Sequence, residues 1–296
     1  MAVATVATQR TIPRAALAAM RPRQWTKNLL LFAGLLFAAQ LGDATRWAEA
    51  VAAFVAYCAA SSAAYLANDV RDAADDRSHP VKRLRPVASG ELPARVALVL
   101  SAALALGAVA ITAALGPLSL AFMAGFLVLQ AAYTGGLKHL VLIDVLAIAG
   151  LFVIRAGAGA EAVGVRISPW LLICTGLLAL FLALGKRRAE LVLVGAEETP
   201  GRAVLEGYSL VLVDQLVTIV AASTVIAYSL YTFTARDSSA MMVTIPFVVY
   251  GVFRYLLLLH RRGLGEEPEN VLLRDVPLLA TIAAWAVTCA VILAVT

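Results

Sequence analysis

The sequence predicts an all-α, polytopic membrane protein, and three observations lead there. Of 296 residues, 61% are hydrophobic and only 15% charged, whereas a soluble domain averages about 25% charged residues. The apolar residues fall in runs near the length of about 20 that a helix needs to cross a hydrocarbon core. The polar residues form short blocks between those runs, none long enough for a second domain. Residues 1–296 therefore read as a single membrane-embedded unit, with 1–20 as a cytosolic tail.

Nine spans are expected, at 25–41, 46–70, 94–115, 118–134, 141–161, 168–185, 208–233, 240–259 and 275–296. Gly116-Pro117, Ser168-Pro169 and Pro277 mark helix starts, where a proline's missing N–H costs nothing. Residues Met1 to Met20 hold two arginines but no apolar core, which argues against a signal peptide. Cys58, Cys174 and Cys289 lie inside apolar runs without metal-ligand spacing and read as small packing residues. His79, His139 and His260 are scattered, so no zinc site is expected.

The net charge of +5 is distributed by membrane side, which excludes nucleic acid as the partner and names a lipid bilayer instead. Apart from Arg155, within a span, all the lysines and arginines except Arg46, Arg166 and Arg236 fall on the side of the N-terminus. That side is expected to be cytosolic, and every charged loop considered below then faces the cytosol.

The end of the second apolar run carries the most informative string, Asn68-Asp69-Val70-Arg71-Asp72-Ala73-Ala74-Asp75-Asp76. Ionised groups at a membrane edge are costly and usually functional. Asn68, Asp72 and Asp76 recur every four residues, a helical stripe that Tyr65 extends at i−3. Hard oxygen ligands on one face suit magnesium, which takes one or two carboxylates together with phosphate and water. Asn68, Asp72 and Asp76 are thus the expected metal ligands, and Asp72, Asp69 and Asp76 the catalytic candidates. Asp69, about 100° around the helix, is expected to orient the site or a basic neighbour.

A basic loop follows, His79-Pro80-Val81-Lys82-Arg83-Leu84-Arg85-Pro86, whose prolines stiffen it. Lys82, Arg83 and Arg85 are candidate phosphate ligands; taken without the acidic stripe, they would read as a topological anchor. Further along come Lys138, and then Asp144 and Arg155, eleven residues apart and so on one helix face. A cation as deep as Arg155 needs a carboxylate, a phosphate or a wet cavity, and Asp144 and Glu161 are the carboxylates within reach. Lys186-Arg187-Arg188 covers most of a helix circumference, so at least one member is expected to face the site. Lys27, just inside the first run in Arg21-Pro22-Arg23-Gln24-Trp25-Thr26-Lys27-Asn28, is a candidate for an anionic ligand.

On these residues the chain resembles the UbiA superfamily of intramembrane prenyltransferases over nearly its whole length. The likeness rests on the nine spans, on the string NDxxDxxxD after span two, and on Tyr133 to Lys138 and Asp144 to Arg155. The segments RPRQWTKN, NDVRDAADDRSHPVKRLRP and IRAGAGAEAVGVRISPWLLICTGLLALFLALGKRRAEL carry a closer resemblance to its phosphoribosyl-transferring branch. Aromatic-acceptor members bear a second aspartate-rich motif after span six, where this chain reads Lys186-Arg187-Arg188-Ala189-Glu190-Leu191.

The resemblance implies helices around a central cavity that opens to the cytosolic side of a bacterial plasma membrane. It implies Mg2+ as cofactor, phosphoribosyl diphosphate as donor, decaprenyl (polyprenyl) phosphate as acceptor, and a place in cell-wall arabinan synthesis. Tyr65 would then bond the donor, while Lys138, Arg155 and Lys186 to Arg188 divide between the remaining phosphates. Two alternatives stay open at this point: polyprenyl transfer to an aromatic ring, and a non-enzymatic transporter.

Overall fold

The computed structural model describes residues 10–37, 42–79, 81–197, 203–234, 239–261, 271 and 274–295. Among these, eight helical segments are long and apolar enough to cross a bilayer. They are α3 (Ala44–Arg71), α5 (Ala94–Leu115), α6 (Pro117–Gly135), α7 (Ile143–Ala162), α8 (Pro169–Glu197), α9 (Leu210–Thr234), α10 (Ile245–Arg261, extended backwards by a 3-10 turn from Ser239) and α11 (Val276–Val295). Short helices α1 (Ile12–Ala19), α2 (Ala33–Phe37) and α4 (Ala73–Ser78) complete the order.

The expected first span differs from a plain α-helix. Pro22–Phe32 is a 3-10 helix that passes into α2, and residues 38–41 lie outside the described residues. A 3-10 helix rises about 2.0 Å per residue, so this segment with α2 still reaches about 29 Å. Its path is fixed by close approach to α7. A Cβ on Gly34 would meet the Ala160 Cα at 2.7 Å, and one on Gly159 would overlap the Leu31 carbonyl. Only glycine permits these contacts, the small-residue packing typical of membrane helices.

Burial sorts the spans. In α7 and α3, 61% and 56% of the apolar window is buried inside the protein, against a third or less in the other six. Those two helices form the centre, and the others turn side chains such as Val99, Leu106, Val128, Val211, Ile219 and Phe253 outward. One core joins α3, α5, α6 and α7 around Tyr57, Met123, Phe126 and Leu151. A second joins α8, α9 and α10 around Phe181, Val213, Tyr255 and Leu259.

Local chemistry sets the ends. Asp43 caps α3 by accepting the Thr45 and Arg46 N–H groups at 2.8 and 3.3 Å. Gly116, at φ 142°, ends α5, and Pro117 starts α6. Beneath the end of α3, α1 seats Ala15 and Ala19 against Leu66, Val87 and Leu92, tying the N-terminal segment to the loop after α4.

Candidate active site

The acidic string lies where α3 stops. Asp72 leaves helical geometry at φ −90°, ψ 5°, and the chain restarts as α4. Asp76 follows Asp69 by seven residues, about 20° apart around a helix, so the two share a face from which Asn68 is turned by about 80–100°. Asp76 is 3% exposed and accepts a hydrogen bond from Arg85 Nη1 at 2.7 Å. Asp69 is 1% exposed and accepts from the same nitrogen at 3.3 Å and from Arg21 Nη2 at 2.6 Å. Asp76 thus sides with Asp69 in a buried clamp on Arg85, whereas Asn68 and Asp72 lie outside that clamp.

Asn68 and Asp72 remain half-buried and converge on one cation. Arg71 donates from Nε to Asp72 Oδ1 at 3.1 Å and from Nη2 to Asn68 Oδ1 at 3.3 Å. Lys138 Nζ lies 3.9 Å from Asp72 Oδ2. The guanidinium here stands in for a cation shared by two hard oxygens. That donor pair, open on one side, fits a magnesium ion that takes its other ligands from phosphate and water. Among the described residues, no three His, Cys, Asp or Glu side chains group as a metal site, so substrate oxygens would have to complete the shell.

The N-terminal segment walls this rim. Arg21 adopts left-handed backbone, φ 55°, at a cost of about 1–2 kcal/mol for a residue with a Cβ. Its ion pair with Asp69 and its place 4.7 Å over the Tyr65 ring offset that cost. From there the 3-10 helix descends along α3. Trp25 donates to Ser62 Oγ at 3.0 Å, and Asn28 Nδ2 reaches Cys58 Sγ at 3.2 Å. Lys27 is half-buried and bonded to Gln24. In the loop, Lys82 and Arg83 are exposed while Arg85 is drawn inward.

Asp144 and Arg155 share α7 but do not meet. Asp144 Oδ2 accepts from Arg187 Nε at 2.6 Å and Oδ1 from the Tyr208 hydroxyl at 2.7 Å, with Asp144 and Arg187 at 0% and 1% exposure. Arg187 also pairs with Glu190, which lies 4.0 Å from Lys186. Burial, then the bond to Asp144, raises the Tyr208 phenol above its ordinary range, so it stays a donor. Arg188 donates to Asp214 at 2.6 Å and to the Leu259 carbonyl at 3.2 Å. Two of the three consecutive cations are therefore held in ion pairs that lock α8 to α7 and α9. Arg155 instead donates to Asn28 Oδ1 at 2.8 Å and to the Leu151 carbonyl at 3.1 Å.

Sequence reasoning missed Arg71, Tyr208 and Asp214 as partners. Asp214 had a readable signal, since a lone carboxylate in an apolar run calls for a cation. Arg71 and Tyr208 had none, because their roles follow from where two helices end.

Comparison with known proteins places this geometry. Residues 29–271 match the model of the UbiA prenyltransferase family. The chain is 37% identical over 283 residues to the decaprenyl-phosphate phosphoribosyltransferase of Mycolicibacterium smegmatis, covering 90% of this chain and 88% of that protein. It is 36% identical over 279 residues to the protein of the same name from Mycobacterium tuberculosis, covering 91% of each. For that of Corynebacterium glutamicum the figures are 34% over 277 residues, 90% and 83%. The structure of a UbiA homolog from Archaeoglobus fulgidus bound to GPP and Mg2+ superposes with a TM-score of 0.72 at 18% identity, covering 95% of this chain and 100% of that one; the likeness is one of fold. This chain is a multi-pass membrane protein and belongs to the UbiA prenyltransferase family.

Proposed function

We propose that this protein transfers the 5-phosphoribosyl group of phosphoribosyl diphosphate to decaprenyl phosphate, releasing diphosphate, on the cytosolic face of a bacterial plasma membrane. The observation that carries this reading is the identity of 34–37%, over about nine-tenths of the chain, with proteins named for that transfer. The geometry supports it. The half-open pair Asn68 and Asp72, the nearby Lys138, and the exposed Lys82 and Arg83 gather at one end of the bundle, where two anionic substrates need cations.

The bond from ribose C1 to diphosphate breaks, and a bond from C1 to an oxygen of the lipid phosphate forms. Diphosphate leaves with the electron pair, and the transition state has oxocarbenium character. Asn68 and Asp72 would hold magnesium, which when bound neutralises the leaving diphosphate. Lys138 adds positive charge beside Asp72, and Lys82 and Arg83 meet the donor from the loop. A phosphate monoester has a second pKa of about 6, so the acceptor is already ionised at neutral pH and no general base is required. Product of this reaction would enter cell-wall arabinan synthesis.

The test mixes purified protein, magnesium, phosphoribosyl diphosphate and decaprenyl phosphate, and identifies the lipid product by mass spectrometry. A decaprenyl phosphoribosyl diester phosphate with equimolar diphosphate is expected. Turnover only when a polyprenyl diphosphate and an aromatic acid are supplied would replace this reading with prenyl transfer.

A further inference from the structure

We infer that Tyr208 is a positioning residue: its hydroxyl latches the turn between α6 and α7 that presents Lys138 to Asp72. The inference rests on the phosphoribosyl transfer proposed above, in which Lys138 adds positive charge beside the leaving diphosphate.

The turn has an unfavourable backbone. α6 ends at Gly135, Leu137–His139 forms a single 3-10 turn that carries Lys138, and α7 starts at Ile143. Between them Leu142 sits at φ 67°, ψ −40°, near the strained γ-turn that a residue with a Cβ rarely adopts. Such a conformation persists only where its surroundings over-determine it. Side-chain packing alone does not supply this, because Leu140, Val141, Leu142 and Ile143 are 38–52% exposed.

The restraint comes from the segment before α9. The Tyr208 ring is buried in the second core with Val145, Val204 and Val213. Its hydroxyl accepts the Leu142 N–H at 2.8 Å and donates to Asp144 Oδ1 at 2.7 Å, so one oxygen ties both sides of the strained peptide. Asp144 is itself held by Arg187 at 2.6 Å, which fixes the direction of the hydroxyl proton. The preceding residue comes equally close: a Cβ on Gly207 would lie 2.4 Å from Val141 Cγ2. Gly207 and Tyr208 therefore grip adjacent residues of the turn.

Lys138 lies four residues before Leu142, and its Nζ stops 3.9 Å from Asp72 Oδ2, both side chains being partly shielded from water. An ammonium on a flexible four-carbon stem takes its place from the backbone beneath it. Misplacing a positioned group by about 1 Å can cost orders of magnitude in rate. Lys138 is most needed as charge develops on the departing diphosphate, so loosening the turn should show in kcat and spare KM.

The test compares wild type with Tyr208→Phe, which removes only the hydroxyl. Melting temperature, amide hydrogen exchange across residues 137–144, kcat and donor KM are measured, and the kinetics are repeated in a Lys138→Met background. Tyr208→Phe should melt within a few degrees of wild type while exchange across the turn quickens at least about fivefold. Its kcat should fall roughly 5- to 30-fold, the scale of one lost hydrogen bond, with donor KM changed less than about threefold. In the Lys138→Met background the same substitution should lower kcat less than about twofold. Unchanged exchange, a loss wholly in KM, or an equal kcat loss in both backgrounds overturns the proposal. If Tyr208→Phe does not fold, Gly207→Ala serves: its Cβ presses on Val141 with the hydroxyl retained, and its kcat loss must likewise vanish without Lys138. Wild type that makes no product refutes the transfer itself, and the exchange measurement still decides whether Tyr208 holds the turn.

Discussion

Arg85 donates to Asp76 at 2.7 Å, closing the basic loop back onto the helix end from which it departs. Asp69 shares the same nitrogen, so two buried carboxylates hold one guanidinium that is itself a quarter exposed. The acidic string is thereby divided in labour. Asp69 and Asp76 fix the loop and the N-terminal segment, and Asn68 and Asp72 face the open side.

Asp76→Asn should consequently behave as a positioning variant. Breaking a fully buried pair costs about 3–5 kcal/mol; partial exposure of Arg85 reduces this to about 1–3 kcal/mol. The melting temperature should fall and KM for the donor should rise, because Arg85 no longer anchors Lys82 and Arg83. The half-saturating magnesium concentration should change less than twofold. A magnesium requirement that rises tenfold, with the melting temperature intact, would return Asp76 to the metal.

Asp72 carries the opposite expectation. Asp72→Ala removes the carboxylate facing Lys138 and Arg71 without touching the buried clamp, so folding should persist. Turnover should fall at least about 100-fold, the scale of losing a principal electrostatic stabiliser. Initial rates across a magnesium titration, beside a thermal melt, provide the check. Wild-type turnover at limiting magnesium would remove Asp72 from the chemistry.

Arg71 sets up a competition. Its guanidinium occupies the pair of oxygens that magnesium would need, at 3.1 and 3.3 Å. An exposed ion pair is worth about 0–1 kcal/mol, so Arg71→Ala should lower the half-saturating magnesium concentration by up to about fivefold. A higher requirement would mean that Arg71 assists the ion and does not compete with it.

Much of this was legible in the sequence because membrane physics constrains it so tightly. Run lengths gave the spans, and the charge asymmetry grouped Asp72, Lys138 and Arg187 on one side, where the structure places all three. Pairing was far less legible. Asp144 and Arg155 fit one helix face by spacing, yet Asp144 bonds Arg187 across to α8, a contact set by helix packing and invisible to periodicity. The pairing of Asp76 with Asp69 on Arg85 was readable in part, since seven residues bring a helix back to within about 20° of the same face, but the choice of Arg85 as their shared partner depends on how the loop folds back. The close packing of Leu31 on Gly159 and of Gly34 on Ala160 joins the first segment to α7, long-range information that the local sequence lacks.

The Asp144 and Arg187 pair yields the last prediction, and it separates structure from chemistry. Both side chains are essentially fully buried, so losing Arg187 strands the Asp144 charge in a low-dielectric interior, and losing Asp144 leaves Arg187 with Glu190 as its one remaining carboxylate partner among the described residues. Asp144→Leu and Arg187→Met should each cost about 3–5 kcal/mol. The double variant should cost less than their sum by at least about 2 kcal/mol, because it strands neither of those two charges. Glu190 retains Lys186 at 4.0 Å in that variant, which limits the residual penalty. Unfolding of the purified protein in mixed micelles gives the four free energies of the cycle. Additive losses would mean the pair is uncoupled. Strong coupling in stability, with the double variant still showing wild-type donor KM, would establish Arg187 as the bolt between α7 and α8 and leave substrate phosphate to the other cations.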